Sequence, residues 1–166
     1  MSRGAPEGFE EYVAARLPML SRTAYLLTGH HQDAEDLVQR ALVKVVAVWP
    51  RISADPDAYV KRVMYHDNIS RWRSRSRRPE HLTDRLPDRG VTSDDTTRLA
   101  LEDALSRLTP KQRTVLVLRF YEDLTEVQTA EAMGVGLGTV KSQTRHALKR
   151  IRELAPGLEG LLVESA

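Results

Sequence analysis

Three groups of side chains in this sequence have types and spacings that could do chemistry, and all three suit binding better than reaction. The first runs from Thr139 through Lys141, Ser142, Gln143, Arg145, His146, Lys149, Arg150 and Arg152. These are donors for phosphate oxygens and base edges. The second runs from Lys61 to Arg78. There Lys61, Arg62, Arg71, Arg73, Arg75, Arg77 and Arg78 oppose only Asp67, which makes a phosphate-binding stripe. Tyr65 and Trp72 add flat surfaces on which bases could stack, and Trp72 packing against the first helix is the alternative. The third is Asp33-Ala34-Glu35-Asp36-Leu37-Val38-Gln39. Here Asp36, Gln39 and Arg40 can share an outer polar face that would dock a charged helical partner, with Leu37 and Val38 turned toward a core. By itself this string also reads as the ordinary acidic first turn of a surface helix.

Reaction chemistry finds little support. The chain has no cysteine, which removes a thiol nucleophile, a disulfide framework and a Cys-ligated zinc site. His30-His31 beside Asp33 lacks a third ligand, and adjacent histidines diverge on a helix. His66-Asp67 is equally weak. There is no Gly-rich phosphate loop and no nucleophile constellation. The sequence therefore predicts no catalytic residues, no metal and no cofactor. A formal charge of +2 is too small to signal nucleic acid by itself, so placement along the chain decides. No apolar run approaches the roughly 18 residues of a membrane span, and Met1 to Gly8 lacks a signal-peptide stretch. The expectation is a cytoplasmic protein with no membrane insertion.

The elements that must position these groups read as helical throughout. Phe9 to Leu27 carries Val13, Leu17, Leu20, Ala24 and Leu27 at helical spacing, with Pro18 able to kink or split it. Asp33 to Trp49 carries Leu37, Ala41, Val45 and Val48 on one stripe with Ala34 and Val38 beside it, and Pro50 ends it. Trp49 reads as a core anchor. Asp55-Pro56 reads as cap and first residue of a third helix reaching about Arg78, with Ala58, Val60, Val63, Met64 and Ile69 on its buried side. Pro79 to Arg98 is rich in Pro, Ser, Thr and acid, and reads as a linker. Fully extended it would span up to roughly 65 Å. Beyond it, Leu101, Ala104, Leu105 and Leu108 mark a helix. Thr109-Pro110-Lys111-Gln112 is a capping box opening the next, and Thr125 with Gln128 opens another. Gly134-Val135-Gly136 breaks that one before a last helix from about Leu137 to Leu154. Two helices joined by a tight Gly-containing turn read as a helix-turn-helix. Ala130 allows close approach, and Val135 and Val140 would plug the shared core. A plain helical hairpin with a solvated basic face is the alternative.

At this point the residues resemble a known family. Leu124-Thr125, Ala130, Gly134 and Gly138-Thr139-Val140-Lys141-Ser142-Gln143 resemble region 4.2 of σ70-family transcription factors. Leu105, Leu108-Thr109-Pro110, Gln112-Arg113 and Leu118-Arg119 resemble region 4.1. The string Phe120 to Gln143 is similar to the actinobacterial branch of the extracytoplasmic-function (ECF) group. Asp33 to Gln39 resembles region 2.2, and Lys61 to Arg78 resembles regions 2.3 and 2.4. Thr129, Gly136, Thr144, Arg40 and His66 depart from the commoner residues at their positions.

The resemblance implies an all-α protein of two small domains joined by a flexible linker. A region 2-like bundle would span 7–78, the acidic linker 79–98, a region 4-like helix-turn-helix 99–157, and a tail 158–166. It implies a sigma factor that binds core RNA polymerase, through the β′ coiled coil and the β-subunit flap, and directs promoter recognition, melting and initiation. Asp33, Asp36, Leu37, Gln39 and Arg40 would meet the polymerase. Lys61, Arg62, Tyr65, His66, Asn68, Arg71, Trp72, Arg73 and Arg75 would meet the −10 element. Arg119, Thr139, Lys141, Ser142, Gln143, Arg145, His146, Lys149 and Arg150 would meet the −35 element. Within that last set, Lys141, Ser142, Gln143 and Arg145 sit where a recognition helix reaches bases, and Thr139, Lys149 and Arg150 where it reaches phosphate. The linker would thread toward the RNA exit path or act as a solvated spacer. Control by an anti-sigma protein fits the resemblance, although no residue signals it. A conventional dimeric regulator would need a dimerisation helix or phosphoacceptor domain, and neither is evident.

Overall fold

The computed structural model describes residues 4–75 and 93–158, with side chains from 4–74 and 96–158. Most of the expected linker and tail, together with Arg77 and Arg78 and the side chain of Arg75, lies outside the described residues. Every regular element among them is helical, and the chain divides into two compact units, 1–77 and 78–166.

The first unit contains α1 (Phe9–Thr28), α2 (His31–Val48), a 3-10 turn (Trp49–Arg51) and α3 (Pro56–Arg75). Helix α1 stops at Gly29, whose φ of 76° is the left-handed conformation and whose N–H donates to the Tyr25 carbonyl at 2.7 Å. Glycine adopts that conformation without steric cost. The two-residue turn then sends α2 back along α1. Pro18 lies inside α1 and does not split it. Its ring and Ala14, whose carbonyl loses a partner, both face solvent, so water can take the lost bond.

The core stripe of α1 is Leu20, Thr23, Ala24 and Leu27. Leu17, expected in it, is 41% exposed, because it sits on the stripe's edge. Helix α2 begins two residues earlier than its acids suggested, at His31. It buries Ala34, Leu37, Val38, Ala41 and Val45. Helix α3 buries Val60, Met64, Tyr65, Asn68 and Ile69. Ala58, expected inside, is exposed, while its neighbours Pro56 and Asp57 are half-buried.

Polar anchors tie the three helices together. Asp55 Oδ1 accepts the Asp57 N–H at 3.0 Å, the cap expected before Pro56. Asp57 in turn accepts the Tyr12 hydroxyl at 2.8 Å and pairs with Arg16 at 3.2 Å. Burial, then the Asp57 contact, pushes the Tyr12 phenol well above its ordinary range. Trp49 is the anchor its sequence position suggested. Its Nε1 donates to the Glu7 carbonyl at 3.0 Å, with the Phe9 and Tyr12 rings 5.2 and 5.0 Å away.

Asp67 on α3 takes Arg40 at 2.7 Å and Lys44 at 3.0 Å from α2. Burial by itself would raise the Asp67 carboxyl, but the hydrogen bonds and charges of Arg40 and Lys44 hold it below its ordinary 3.8. A carboxyl depressed in the folded state stabilises above its unfolded pKa, and that stabilisation is lost as pH falls through the folded one. Asp67→Asn should therefore lower the melting temperature of this unit at pH 7, and the gap from the parent should close as pH drops below about 4. A gap of constant size down to pH 2 in a circular-dichroism melt series would contradict the clamp.

The second unit contains α4 (Ser93–Ser106), α5 (Pro110–Leu116), a wider π-helical turn (Val117–Tyr121), α6 (Glu126–Met133) and α7 (Leu137–Leu154). Helix α4 starts at Ser93, so the last residues of the expected linker, Ser93 to Arg98, are helical. Both capping boxes form. Thr109 Oγ1 accepts the Gln112 N–H and Gln112 Oε1 accepts the Thr109 N–H, each at 3.2 Å. Thr125 and Gln128 repeat the exchange at 3.1 and 2.9 Å. Helix α5 and the π-helical turn after it form the centre of the unit: Arg113 to Leu118 are all buried, and α5 packs on α7. Burial pulls the Arg113 guanidinium below its ordinary range. Gly134 turns the chain between α6 and α7 with φ 64° and ψ 37°. Val140, Ala147 and Ile151 seal α7 to the core. Val135, expected to plug it too, is only half-buried.

Candidate polymerase and nucleic-acid surfaces

Because Val140, Ala147 and Ile151 fix one side of α7 to the core, the opposite side must face out. Lys141, Arg145, His146, Lys149 and Arg150 are all exposed there. Lys141, Arg145 and Lys149 recur every four residues, so they form a row with about 6 Å between neighbours along the axis. Thr139, Ser142 and Gln143 are half-buried. Ser142 Oγ donates to the Thr139 carbonyl at 3.2 Å, and Thr144 Oγ1 donates to the Val140 carbonyl at 2.7 Å. Arg150 pairs with Glu153 at 3.4 Å on the same helix. Lys141 reaches across to Glu126 of α6 at 3.9 Å.

One residue expected on this surface is engaged elsewhere. Arg119 Nη1 donates to the Leu124 carbonyl, and its guanidinium lies over the Phe120 ring at 5.8 Å. It closes the turn that carries Asp123 at a left-handed φ of 56° and presents Thr125 as the cap of α6. A residue that the sequence reading passed over joins the surface instead. Leu137, at the start of α7, is exposed. Its place in the first turn of a helix rich in cations is the signal the sequence carries.

On α3 the outward side is a stripe of Tyr59, Arg62, His66, Ser70 and Arg73, all exposed. Their spacing of three and four is one helical face. Lys61, Arg71 and Trp72 flank it, half-buried, and the Arg73 guanidinium lies 5.9 Å from the Trp72 ring. An open depression of about 420 Å³ is lined by Lys44, Tyr59, Arg62, Val63, His66, Asp67 and Ser70. Tyr65 and Asn68, expected to meet DNA, are 4% and 9% exposed. Each lies beside the Val60–Met64 stripe and is covered by the bundle. Trp72 is half-buried, and Tyr59 is an exposed aromatic in register with Arg62, His66 and Arg73.

On α2 the outward row is Gln32, Asp36, Gln39 and Val43. Gln32 Nε2 donates to Asp36 Oδ1 at 3.3 Å. Gln39 is exposed, Asp33 and Asp36 are half-buried, and Val43 is 69% exposed. Two members of the expected polymerase-binding set sit differently. Leu37 is 1% exposed and holds the helix in place, as its inward pattern implied. Arg40 turns toward Asp67 and away from this row. Among the described residues no cluster of His, Asp and Glu could hold a metal ion, and no helix is long and apolar enough to cross a membrane. His31 stacks on Tyr25 at 4.7 Å.

Residues 12–78 match the family described as Sigma-70 region 2, and residues 104–153 match Sigma-70, region 4. The RNA polymerase sigma-E factor of Streptomyces avermitilis is 42% identical over 92% of this chain and 88% of its own length. The chain belongs to the σ70 family. Its place is in the ECF group, and its general function is that of a sigma factor in transcription initiation. The ECF RNA polymerase sigma factor SigJ of Mycobacterium tuberculosis is 34% identical over 92% of this chain and 51% of its own length. Among solved structures, the sigma factor RpoE of Bartonella quintana, crystallised with the anti-sigma factor NepR, superposes with a TM-score of 0.65. It is 25% identical, covering 88% of this chain and 95% of that one. The two matched regions of this ECF factor contain the three outward surfaces: α2 and α3 in region 2, α7 in region 4.

Proposed function

We propose that the chain binds core RNA polymerase through α2, opens and holds the −10 element on α3, and reads the −35 duplex with α7. The observation that carries this reading is the exposed cationic row of α7, set behind a turn that suits a helix-turn-helix. Lys141 and Arg145 lie toward the end of the helix that enters a major groove, and Lys149 and Arg150 lie farther back, at phosphate level. Leu137 suits contact with a thymine methyl. On α3, Arg62 and Arg73 attract the backbone while Tyr59 and His66 offer faces for an unstacked base. On α2, Asp36, Gln39 and Val43 supply a polar row with an apolar end for a helical partner.

Each surface is small, so free protein binds promoters weakly, and polymerase supplies the fixed spacing that makes the surfaces act together. The work is binding, with no catalysis by the chain, and its place is the cytoplasm, where polymerase is. An anti-sigma partner, such as the one bound by the Bartonella relative, fits the same scheme.

The test is transcription in vitro with purified core polymerase and a random promoter library. The full chain should enrich a defined subset of start sites. Asp36→Ala with Gln39→Ala should weaken holoenzyme assembly about tenfold or more, the scale of losing one or two interfacial contacts, with the melting temperature unchanged. No affinity of core enzyme for the parent chain would overturn the assignment.

A further inference from the structure

Glu126 is out of place on a surface that would meet a polyanion. It is the first residue of α6, directly after the Thr125 cap. Its carboxylate stands 3.9 Å from the Lys141 ammonium on α7. A carboxylate at a helix N-terminus favours the helix dipole, which would be reason enough for an acid far from DNA. Here the acid faces the row of α7 cations, where DNA phosphates would repel it.

The pair is also peculiar in its reach. It joins the two helices of the helix-turn-helix, whereas the Arg150 partner lies on α7 itself. Both side chains are well exposed, 39% for Glu126 and 60% for Lys141. An exposed pair of this kind adds little to folding, so the stability of the unit does not account for it.

The geometry points to Glu126 as a specificity-determining residue that positions Lys141. This rests on the reading of α7 as the DNA-reading helix. An ammonium has three donors. At 3.9 Å the Glu126 carboxylate attracts it by charge and not through a hydrogen bond, so the pair biases a long flexible side chain and leaves its donors for a base acceptor such as guanine O6 or N7. The same carboxylate discourages Lys141 from swinging to the nearest phosphate, a contact that every sequence offers. Glu126 thus gives up some affinity for DNA in general and gains discrimination for one base position.

The experiment uses reconstituted holoenzyme with the parent chain, Glu126→Gln, Lys141→Gln and the double variant. Binding is measured on a selected promoter duplex and on a random-sequence duplex, over a range of salt. Glu126→Gln should bind random duplex about twofold to fivefold more tightly, the scale of one surface charge. Its salt dependence should steepen by up to about one counterion. Promoter affinity should rise less, so the ratio of the two falls. In the Lys141→Gln background the same substitution should leave that ratio unchanged, because the cycle isolates the pair.

An unchanged ratio in Glu126→Gln overturns the proposal. So does an equal fall of the ratio in both backgrounds, which would make Glu126 a source of bulk charge only. If neither Glu126→Gln nor Lys141→Gln alters binding to either duplex, the DNA-reading role of α7 fails, and the proposal falls with it.

Discussion

Replacing Lys141 and Arg145 together with alanine should cut transcription from promoters that depend on the upstream element by roughly a hundredfold, and leave core polymerase binding at the parent level. Both side chains are exposed on α7, one turn apart, on the side opposite the buried Val140, Ala147 and Ile151. Base contacts of this type contribute about 1–3 kcal/mol each. Two of them correspond to a factor between about thirty and about twenty thousand. The residues lie close enough to share a stretch of DNA, so their effects need not add, and the lower half of that range is the better guide. Neither reaches the core of the unit, so its melting temperature should hold within about 4 °C, as for ordinary surface substitutions. Run-off transcription on promoters with intact and scrambled upstream elements, beside a core-polymerase pull-down, checks both halves. A variant that still distinguishes the two promoters as well as the parent would refute the role of α7, and one that no longer binds core polymerase would move the α7 row to the polymerase.

Leu37→Ala should produce a large loss of stability in the first unit, and it should impair polymerase binding only through unfolding. Leu37 belongs to the string that resembles the polymerase-binding surface, yet it is among the largest fully buried side chains. Truncating a buried leucine costs about 2–5 kcal/mol, from lost transfer energy and the cavity left behind. For a unit of this size each kcal/mol lowers the melting temperature by roughly 4–8 °C. The expected fall is therefore more than about 10 °C, a large fraction of the stability of a small domain. Affinity for core polymerase should recover on cooling into the folded range, and Leu37→Met should stay close to the parent, because volume is nearly kept. If Leu37→Ala lost polymerase binding while fully folded, Leu37 would be a direct contact and the outward row would need redrawing.

These two outcomes separate residues that meet a partner from residues that hold the meeting surface in place. The resembling strings alone did not make that separation. Leu37 and Gln39 lie two residues apart in one motif, and one is sealed while the other faces water. Tyr65 and Tyr59 sit on one helix, and the aromatic in the more suggestive neighbourhood is the buried one. Arg119 and Arg40 both read from sequence as contacts for partners, and both guanidiniums are engaged by the chain's own groups, one by a carbonyl five residues on, the other by a carboxylate 27 residues on.

The sequence by itself determined the helical elements and their ends. Thr109 with Gln112, Thr125 with Gln128, Asp55 before Pro56 and glycines at positions 29 and 134 act through neighbours within four residues, so local chemistry suffices. It determined the two-unit organisation and the cationic face of α7 for the same reason, because one strong apolar stripe leaves only one opposite side. Tertiary structure decided the exposed face of α3, the pairing of Arg40 and Lys44 with Asp67, and the reach of Lys141 to Glu126. Helical periodicity gives the angles between side chains on one helix. It does not give the direction from which a second helix arrives, and that direction decides which polar groups remain available for a partner.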